Sequence, residues 1–433
     1  MFSGSASATR AKGLKGEIRV PGDKSISHRS VIIGAIAVGT TAIDGFLAGE
    51  DNLSTINALR LMGVRIKRTE ESTVVVEGGG MRSLKEPEDV IDAGNSGTTT
   101  RLLMGLLSAQ PFFSVLTGDA SLRKRPMKRV VEPLLKMGAS IAGRKDNSLL
   151  PVAISGRRLR GISYSTPVAS AQLKSAILLA GIYADGETTV LEKERSRDHT
   201  ERMLKLFGAD IEVKGNTVTV RSTKELYGCK IEVPGDISSA AFLMVGALIT
   251  PESELVIKEV GVNPARTGVV HILKKMGGSI EVLNEREVCG EPVADILVRS
   301  SRLKGVDITG GELLPAIDEF PALCVAASFA DGVTTIGGAS ELRVKESDRI
   351  AAMASSLNAL GVKNTEKEDG IIIEGRDVDI EGGVVESFGD HRIAMSMAIA
   401  ALRSRSGVEI RGARSVDVSY PGFFDELERL KVR

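Results

Sequence analysis

A six-fold internal repeat constrains the fold of this chain more than any other feature of the sequence. One element of the repeat is an apolar helical segment, followed by a turn and a strand rich in β-branched residues. Its six copies begin at Ser27, Thr98, Ser170, Ser238, Phe320 and His391. Each segment is apolar on nearly every side, which is typical of a helix buried within a domain.

A second element accompanies the first in five of the copies. The five segments are LRLMGVRI, LLKMGASI, LKLFGADI, LKKMGGSI and LNALGVKN. Each predicts the end of an amphipathic helix, a glycine with positive φ, and the start of a strand. Short alternating strands follow, so the unit is predicted to be of the βαβαββ type and the fold class α/β. The last copy is predicted to be cut short at its C-terminal helix.

The phrase Val-Pro-Gly-Asp occurs twice, at residues 20–23 and 233–236, and divides the six copies into three and three. A chain of 433 residues is too long for one ordinary core. We predict one domain of residues 1–20 and 236–433, and a second of residues 21–235. The hinge is predicted near Val20-Pro21 and Val233-Pro234, with a ligand in the cleft; the alternative is a repeat scaffold without chemistry.

Composition excludes several classes of function. The chain has 56 basic and 56 acidic residues, so no net charge draws it to nucleic acid or to a membrane surface. Trp is absent and aromatic residues are only 3%, which argues against stacking platforms for nucleic-acid bases. The cysteines are few and scattered, which argues against a zinc site and for a reducing compartment. Because no apolar leader is present, we expect a cytoplasmic protein without a membrane partner.

The most informative charges are those that one copy has and the others lack. The first Val-Pro-Gly-Asp is followed by Lys24, Ser25 and Arg29, whereas the second is followed mostly by small or apolar residues. A helix N-terminus offers free N–H groups and a positive dipole end, so two added cations predict an anion site. The alternative is surface charge on a first helical turn. The string GDKS is not a phosphate loop, because that pattern needs Gly where this chain has Asp23.

The second copy begins with the glycine-rich string GNSGTTTR, which contains Asn95 and Gly97. Such a turn lets the backbone approach a ligand closely, and Asn supplies a cap or a polar contact. The basic run SLRKRPMKR follows. Most of its charges are expected to be solvated, but Arg125, beside Pro126, is a candidate for the cleft.

Copies five and six place carboxylates among cations. Lys345 and Arg349 are four residues apart and flank Glu346, an arrangement that binds anions and leaves a carboxylate for proton transfer. Asp318 precedes one apolar helix and Arg392 begins another, although helix capping would also explain such residues. Together they predict a metal-free site for small, multiply anionic substrates, with acid–base chemistry by carboxylates and electrostatic stabilisation by cations.

Nine motifs occur in order along the chain: GDKSISHR, GNSGTTTR, RKRPM, SAQLKSA, SRDHT, IDEFP, RVKESDR, GDHR and SYPGFF. They closely resemble those of the 5-enolpyruvylshikimate-3-phosphate synthase family, and the SAQ and SRDH variants resemble its second sequence class. The resemblance implies the inverse α/β barrel, or enolpyruvyl transferase fold, with two domains of three repeats each.

The resemblance also implies a reaction in aromatic amino-acid biosynthesis. The family transfers the enolpyruvyl group of phosphoenolpyruvate to the 5-hydroxyl of shikimate 3-phosphate through a tetrahedral intermediate, releases inorganic phosphate and needs no cofactor. The motifs assign shikimate 3-phosphate to Lys24, Ser25, Arg29, Ser170, Gln172, Arg197, Asp318, Glu341 and Lys345. They assign phosphoenolpyruvate to Lys24, Asn95, Gly97, Arg125, Gln172, Arg349 and Arg392. Asp318 is implied as the base toward the 5-hydroxyl, Glu346 as proton donor and acceptor at the methylene, and Lys24 as the third catalytic residue; a monomer is expected.

The sequence departs from some family members at two positions. Ala171 stands where some have a second serine, and Val418 stands where some have a lysine, for which Arg414 is a candidate substitute. Gly97, rather than alanine, leaves room for the inhibitor glyphosate.

Two alternatives remain at this point. The sister transferase that acts on UDP-N-acetylglucosamine has a typical cysteine in its second repeat, whereas this chain has none before Cys229. A non-catalytic anion-binding repeat protein would gain nothing from Asp318 and Glu346 among its cations.

Overall fold

Two units make up the computed structural model, which describes residues 4–432, and the chain passes from one to the other near the Val-Pro-Gly-Asp phrases. The first unit runs to Pro21 and resumes over Pro234–Glu287 and from Pro292 onward. The second comprises Gly22–Val233 together with Val288–Glu291. Each unit has its own hydrophobic core. The hinge stays a prediction, and residues 1–3 and 433 of the predicted first domain lie outside the described residues.

Three four-stranded sheets of the second unit share one topology. In each, a parallel pair of strands is extended by two antiparallel strands. In spatial order the strands are Lys230–Glu232, Val38–Asp44, Val74–Gly79 and Arg65–Arg68; Ile91–Asp92, Phe113–Thr117, Leu149–Ser155 and Ser140–Gly143; and Ser163–Ser165, Thr188–Leu191, Thr217–Val220 and Ile211–Lys214. The edge strand of the first sheet, Lys230–Glu232, comes from the C-terminal end of the segment Gly22–Val233. The last strand of this segment therefore pairs in the same sheet as its first strand.

Apolar helices form the core of the second unit. The three predicted helices are Lys24–Ala35, Gly97–Leu107 and Ala171–Gly181, and nearly all their residues are buried. The other helical segments are Glu50–Leu61, Leu122–Lys124, Lys128–Lys136, Arg144–Asn147 and His199–Leu206. A Cβ atom at Gly105 would lie 2.2 Å from the carbonyl oxygen of Ala176, so two of the core helices pack at a distance that only glycine permits.

The sheets of the first unit keep the parallel pair but differ in size. In spatial order their strands are Ser279–Val288, Glu291–Arg299, Glu254–Gly261, Gly13–Arg19 and Lys431–Val432; Asp307–Ile308, Gly332–Ile336, Gly370–Gly375 and Asn364–Lys367; and Ser5–Ala8, Val408–Arg411 and Gly383–Glu386. The parallel pairs are the third and fourth strands of the first sheet, the first two of the second, and the last two of the third. The shortened sixth copy is confirmed, and the strand Ser5–Ala8 completes its sheet.

The first unit also has buried apolar helices in its core. The helices of this unit are Ile237–Ile249, Gly268–Lys275, Gly310–Leu313, Phe320–Ser328, Arg349–Ala359, His391–Ala400 and Phe423–Leu430, with 3-10 turns at Leu314–Glu319, Ser340–Val344, Ala401–Arg403 and Ala413–Val418. All thirteen residues of Ile237–Ile249 are buried. Such a helix is stabilised by packing on every side rather than by one apolar stripe.

The predicted helix ends are confirmed at all five glycines. Their φ angles are positive: 84° at Gly63, 94° at Gly138, 92° at Gly208, 94° at Gly277 and 80° at Gly361. The α/β class and the repeated unit are confirmed by the six sheets. Within residues 4–432, none of the helices combines the length and apolar character that crossing a membrane requires.

Candidate active site

Lys24 is the first residue of the helix Lys24–Ala35, and Asp23, the residue before it, is the N-cap of that helix. The Asp23 carboxylate accepts a hydrogen bond of 2.9 Å from the backbone N–H of Ile26. The Lys24 ammonium forms an ion pair with the carboxylate of Asp51, and its backbone oxygen accepts a hydrogen bond of 3.1 Å from Asn52. The predicted anion-binding cation is therefore held at a helix N-terminus by a carboxylate that the sequence did not single out.

Arg29 is buried and bound only by uncharged oxygens. Its Nε donates to Thr200 Oγ1 at 2.6 Å, Nη2 to Ser175 Oγ at 2.7 Å, and Nη1 to the backbone oxygen of Ser25 at 2.9 Å. Arg29 forms no ion pair with any residue between positions 4 and 432. Burial lowers the pKa of its guanidinium to about 10, against the raising effect of Glu201, so the group is still cationic at neutral pH. Arg197 lies near enough for its charge to lower the same pKa.

Asn95 and Arg125 form one hydrogen-bonded group. Arg125 donates through Nη2 to the Asn95 amide oxygen and through Nη1 to the Asn95 backbone oxygen, the latter at 3.2 Å. The amide nitrogen of Asn95 donates to Asp119 Oδ2 at 2.7 Å. Gly97 begins the next helix, where a Cβ atom would lie 2.8 Å from Arg101 Nη1. Because Gly97 has no Cβ atom, the Arg101 guanidinium can lie close to the backbone of the helix start.

Gln172 joins the starts of two core helices. Its amide oxygen accepts from Arg101 Nη1 at 2.6 Å, and its amide nitrogen donates to Thr98 Oγ1 at 2.9 Å. Ser170 caps the helix that contains Gln172, accepting from the backbone N–H of Leu173. Five of the predicted residues of the second unit thus lie at the N-terminal ends of three core helices, where backbone N–H groups and dipoles favour an anion: Lys24, Ser25, Gly97, Ser170 and Gln172.

Arg349 organises the predicted residues of the first unit. This arginine is buried, with 1% of its side chain exposed. Its Nε lies 2.8 Å from Asp390 Oδ2, its Nη2 2.7 Å from Glu346 Oε2, and its Nη1 3.4 Å from Asp318 Oδ1. The two predicted acid–base carboxylates therefore share one guanidinium. Burial lowers the pKa of Arg349, but the three carboxylates raise it by more, so the net shift is upward and the cation is permanent.

Lys345 and Arg392 add two more cations beside Asp318. The Lys345 ammonium is 3.6 Å from Asp318 Oδ1. Arg392 Nη1 donates to the backbone oxygen of Asp318 at 2.8 Å and lies 3.7 Å from Glu319 Oε1. Glu341 is on the exposed side of the 3-10 turn Ser340–Val344, four positions before Lys345.

The second Val-Pro-Gly-Asp phrase leads into an ion-pair network instead of a predicted anion-binding cation. Asp236 caps its helix by accepting from the Ser238 N–H at 2.9 Å. The buried guanidinium of Arg266 binds Asp236 Oδ1 at 3.0 Å and Ser238 Oγ at 2.7 Å, and lies 3.9 Å from Glu319 Oε1. The two copies of the phrase share the cap, but in the second an arginine from a distant loop neutralises the capping carboxylate.

The sequence alone assigned no role to several partners of the predicted residues. They are Asp51, Arg101, Asp119, Arg266 and Asp390. Arg101 and Asp390 lie inside the quoted motifs GNSGTTTR and GDHR, so the motif itself was the available signal. The other three come from segments with no special pattern. Ala171 begins its helix with no hydroxyl, Val418 is buried, and Arg414 is exposed beside Gly4.

A metal site is not built into the described chain. No cluster of three or more His, Cys, Asp and Glu side chains between residues 4 and 432 has the arrangement to hold a metal ion. The groups at hand for chemistry are carboxylates, guanidiniums and ammoniums.

Comparison with known proteins gives matches over nearly the whole chain. The family model EPSP synthase (3-phosphoshikimate 1-carboxyvinyltransferase) matches residues 8–427. A 3-phosphoshikimate 1-carboxyvinyltransferase of Geobacter metallireducens is 60% identical over 423 residues, 98% of each chain. One of Pelobacter propionicus is 59% identical over 427 residues, 99% of each chain.

Solved structures of known proteins have the same fold as this chain. EPSP synthase from Acinetobacter baumannii is 50% identical with a TM-score of 0.88, over 99% of this chain and 98% of that one. The enolpyruvyl transferase NikO from Streptomyces tendae, 17% identical with a TM-score of 0.78 over 98% and 96% of the two chains, shares the fold. The predicted enolpyruvyl transferase fold is confirmed. This chain belongs to the EPSP synthase family, the 3-phosphoshikimate 1-carboxyvinyltransferases.

Proposed function

We propose that this chain joins phosphoenolpyruvate to shikimate 3-phosphate with the residues described above. The 5-hydroxyl oxygen of the acceptor forms a bond to C2 of phosphoenolpyruvate, and the bond from C2 to the phosphate oxygen breaks. The observation that carries the proposal is the Arg349 cluster, because it presents two part-exposed carboxylates on one buried guanidinium. A protein that only bound anions would gain nothing from carboxylates at that place.

The acceptor is assigned mainly to residues of the second unit. Arg29 supports this assignment because its hydrogen bonds go to neutral oxygens, so its positive charge is available to an anion. Ser25, Ser170, Gln172 and Arg197 accompany it. Asp318, Glu341 and Lys345 of the first unit and Lys24 complete the assignment.

The donor is assigned to cations and to small residues. Arg125 is held by the amide and backbone oxygens of Asn95, and the lack of a Cβ atom at Gly97 lets the Arg101 guanidinium lie close to the backbone. Lys24 and Gln172 contribute polar groups at the same helix starts. Arg349 and Arg392 are the cations of the first unit that bind phosphate and carboxylate oxygens, which guanidinium groups recognise well.

The proton transfers follow from the two carboxylates. In the addition step, Asp318 takes the 5-hydroxyl proton while a protonated Glu346 gives its proton to the methylene carbon, which produces the tetrahedral intermediate. In the elimination step, Glu346 takes a proton back from the new methyl group, the double bond re-forms, and phosphate departs. The proton held by Asp318 goes to the departing phosphate, so both carboxylates return to their starting states. Lys24, Arg349 and Arg392 stabilise the negative charge of the leaving group.

Phosphate release tests this assignment. We expect purified protein to release inorganic phosphate from phosphoenolpyruvate in the presence of shikimate 3-phosphate, and not with UDP-N-acetylglucosamine as the acceptor. Release with the nucleotide sugar alone would mean that the acceptor is wrong. Release with neither acceptor would favour the non-catalytic alternative.

The protein is further proposed to act as a monomer in the cytoplasm. All three cysteines are free thiols, as expected in a reducing compartment. Light scattering coupled to size-exclusion chromatography tests the assembly state, and a mass near twice 45.9 kDa would contradict it.

A further inference from the structure

Lys174, two residues after Gln172, is a buried lysine to which no substrate contact is assigned. The Lys174 side chain is 1% exposed, and its Nζ lies 2.7 Å from Glu192 Oε2 and 2.6 Å from Glu201 Oε1. The two carboxylates are themselves 1% and 4% exposed. A buried ion pair is costly to assemble, and removal of one partner leaves the others uncompensated.

The two carboxylates bracket the segment that carries Arg197. Glu192 follows the strand Thr188–Leu191, and Glu201 lies in the first turn of the helix His199–Leu206. Between them, Ser196 donates its hydroxyl to Glu192, and its backbone oxygen accepts from Lys174 at 3.4 Å. Lys174 therefore fastens the segment at both ends and in the middle.

The same lysine is linked to Arg29 through its chain neighbours. Ser175, next to Lys174, and Thr200, next to Glu201, are two of the three groups that accept hydrogen bonds from Arg29. Their hydroxyls are also hydrogen-bonded to each other at 2.6 Å. The arginine and the ion pair are thus parts of one buried network.

Glu201 is the carboxylate that could compete for Arg29. Burial raises the pKa of Glu201 and Lys174 opposes that rise, while the charge of Glu201 raises the pKa of Arg29. Glu201 Oε2 is buried with no hydrogen-bond partner among the described residues. Among the charges that raise the pKa of Arg29, Glu201 is the largest, and Glu192 is not a chain neighbour of any group that accepts a hydrogen bond from Arg29.

We infer that Lys174 is a positioning residue for the acceptor: it neutralises Glu201, so that the Arg29 cation is free to bind the anionic acceptor, and it fastens the segment that presents Arg197. The inference rests on the proposed function, which assigns both arginines to shikimate 3-phosphate. Without Lys174, Glu201 turns to Arg29 and the acceptor must compete with it.

Steady-state kinetics of a variant series tests the inference. Lys174→Met is expected to raise the KM for shikimate 3-phosphate about tenfold, as for the loss of a charge-assisted hydrogen bond, with the KM for phosphoenolpyruvate changed less than about twofold. Adding Glu201→Gln is expected to restore most of the acceptor KM. Adding Glu192→Gln instead removes the same charge from the carboxylate that is not next to an Arg29 acceptor in the chain, and is expected to leave the acceptor KM high.

Each outcome decides between the alternatives. Equal recovery in the two double variants, or an equal rise of both KM values, would mean that Lys174 only supports the fold. If Lys174→Met alone does not fold, the two double variants are compared directly, and failure of both to fold would also overturn the inference. A wild-type protein inactive with shikimate 3-phosphate would refute the proposed function, whereas an active wild type with unchanged variants would refute the inference alone.

Discussion

Replacing Glu346 by Gln is expected to lower kcat about 10³-fold, because a positioned general acid or base contributes about 10²- to 10⁴-fold. The amide keeps the shape of the side chain and its oxygen can still accept from Arg349 Nη2, now 2.7 Å from Glu346 Oε2. It cannot exchange a proton with the methylene carbon. The KM values are expected to change much less than kcat, and phosphate release at saturating substrates measures the difference.

Glu374→Gln is the matched control for this change. Glu374 belongs to the same unit and pairs with Lys363 Nζ at 2.6 Å, where both side chains are exposed. Its kinetic constants are expected to equal those of the wild type. An unimpaired rate of the Glu346→Gln variant would show that Glu346 takes no part in the proton transfers. Asp318 would then be the only one of the two carboxylates left as an acid–base residue.

Replacing Arg349 by Met is expected to abolish activity and to lower the free energy of unfolding by about 3–5 kcal/mol, the usual effect of breaking a buried ion pair. The reason is Asp390, which has no exposed side-chain surface and is 2.8 Å from Arg349 Nε. Burial raises the pKa of Asp390, but the charges of Arg349 and His391 lower it by more, so the carboxylate is ionised and depends on the arginine. Urea denaturation followed by circular dichroism measures the loss of stability.

Two further variants make this prediction specific. Arg405→Met breaks the exposed pair with Glu381, and is expected to change the free energy of unfolding by at most about 1 kcal/mol. Adding Asp390→Asn to Arg349→Met removes the uncompensated charge, so part of the stability should return while activity stays absent. A single variant as stable as the wild type would show that Asp390 finds another partner.

The repeat was predictable because it rests on local chemistry. Glycines such as Gly63 and Gly361 end helices in a conformation that other residues rarely adopt, and the apolar helices between them need burial on every side. The candidate residues were predictable for a related reason. Lys24 is a charge where the second Val-Pro-Gly-Asp phrase is followed by Ile237, and Arg349 flanks Glu346 together with Lys345 at a helix start, so a functional requirement was the simplest explanation of both.

The partners of those residues were not predictable, because they depend on packing between segments. Lys24 pairs with Asp51, and Asp236 with Arg266, from segments that no period or motif connects. Lys174 did carry a signal, since a lysine inside an otherwise apolar helix needs a carboxylate partner once that helix is buried. The sequence did not indicate which carboxylates these would be.

Helix capping and membership of the charged cluster are compatible at Asp390, although the sequence alone left capping and function as alternatives. Asp390 accepts a hydrogen bond of 3.0 Å from the Arg392 N–H, as an N-cap does, and at the same time pairs with Arg349. A cap placed at a helix start is already beside the free N–H groups that favour anions, so one carboxylate can serve both purposes.

Glycine at position 105 restricts how this protein can be engineered. It lies about 12 Å along its helix from Gly97, at the rise of 1.5 Å per residue. A larger side chain there would push away the backbone at Ala176, and with it the start of the neighbouring helix, where Gln172 accepts from Arg101. Variant libraries that aim at altered inhibitor tolerance or substrate preference should therefore leave residue 105 unchanged. A substitution there would displace Gln172 and lower activity, and a screen would not distinguish this effect from a direct change of a site residue.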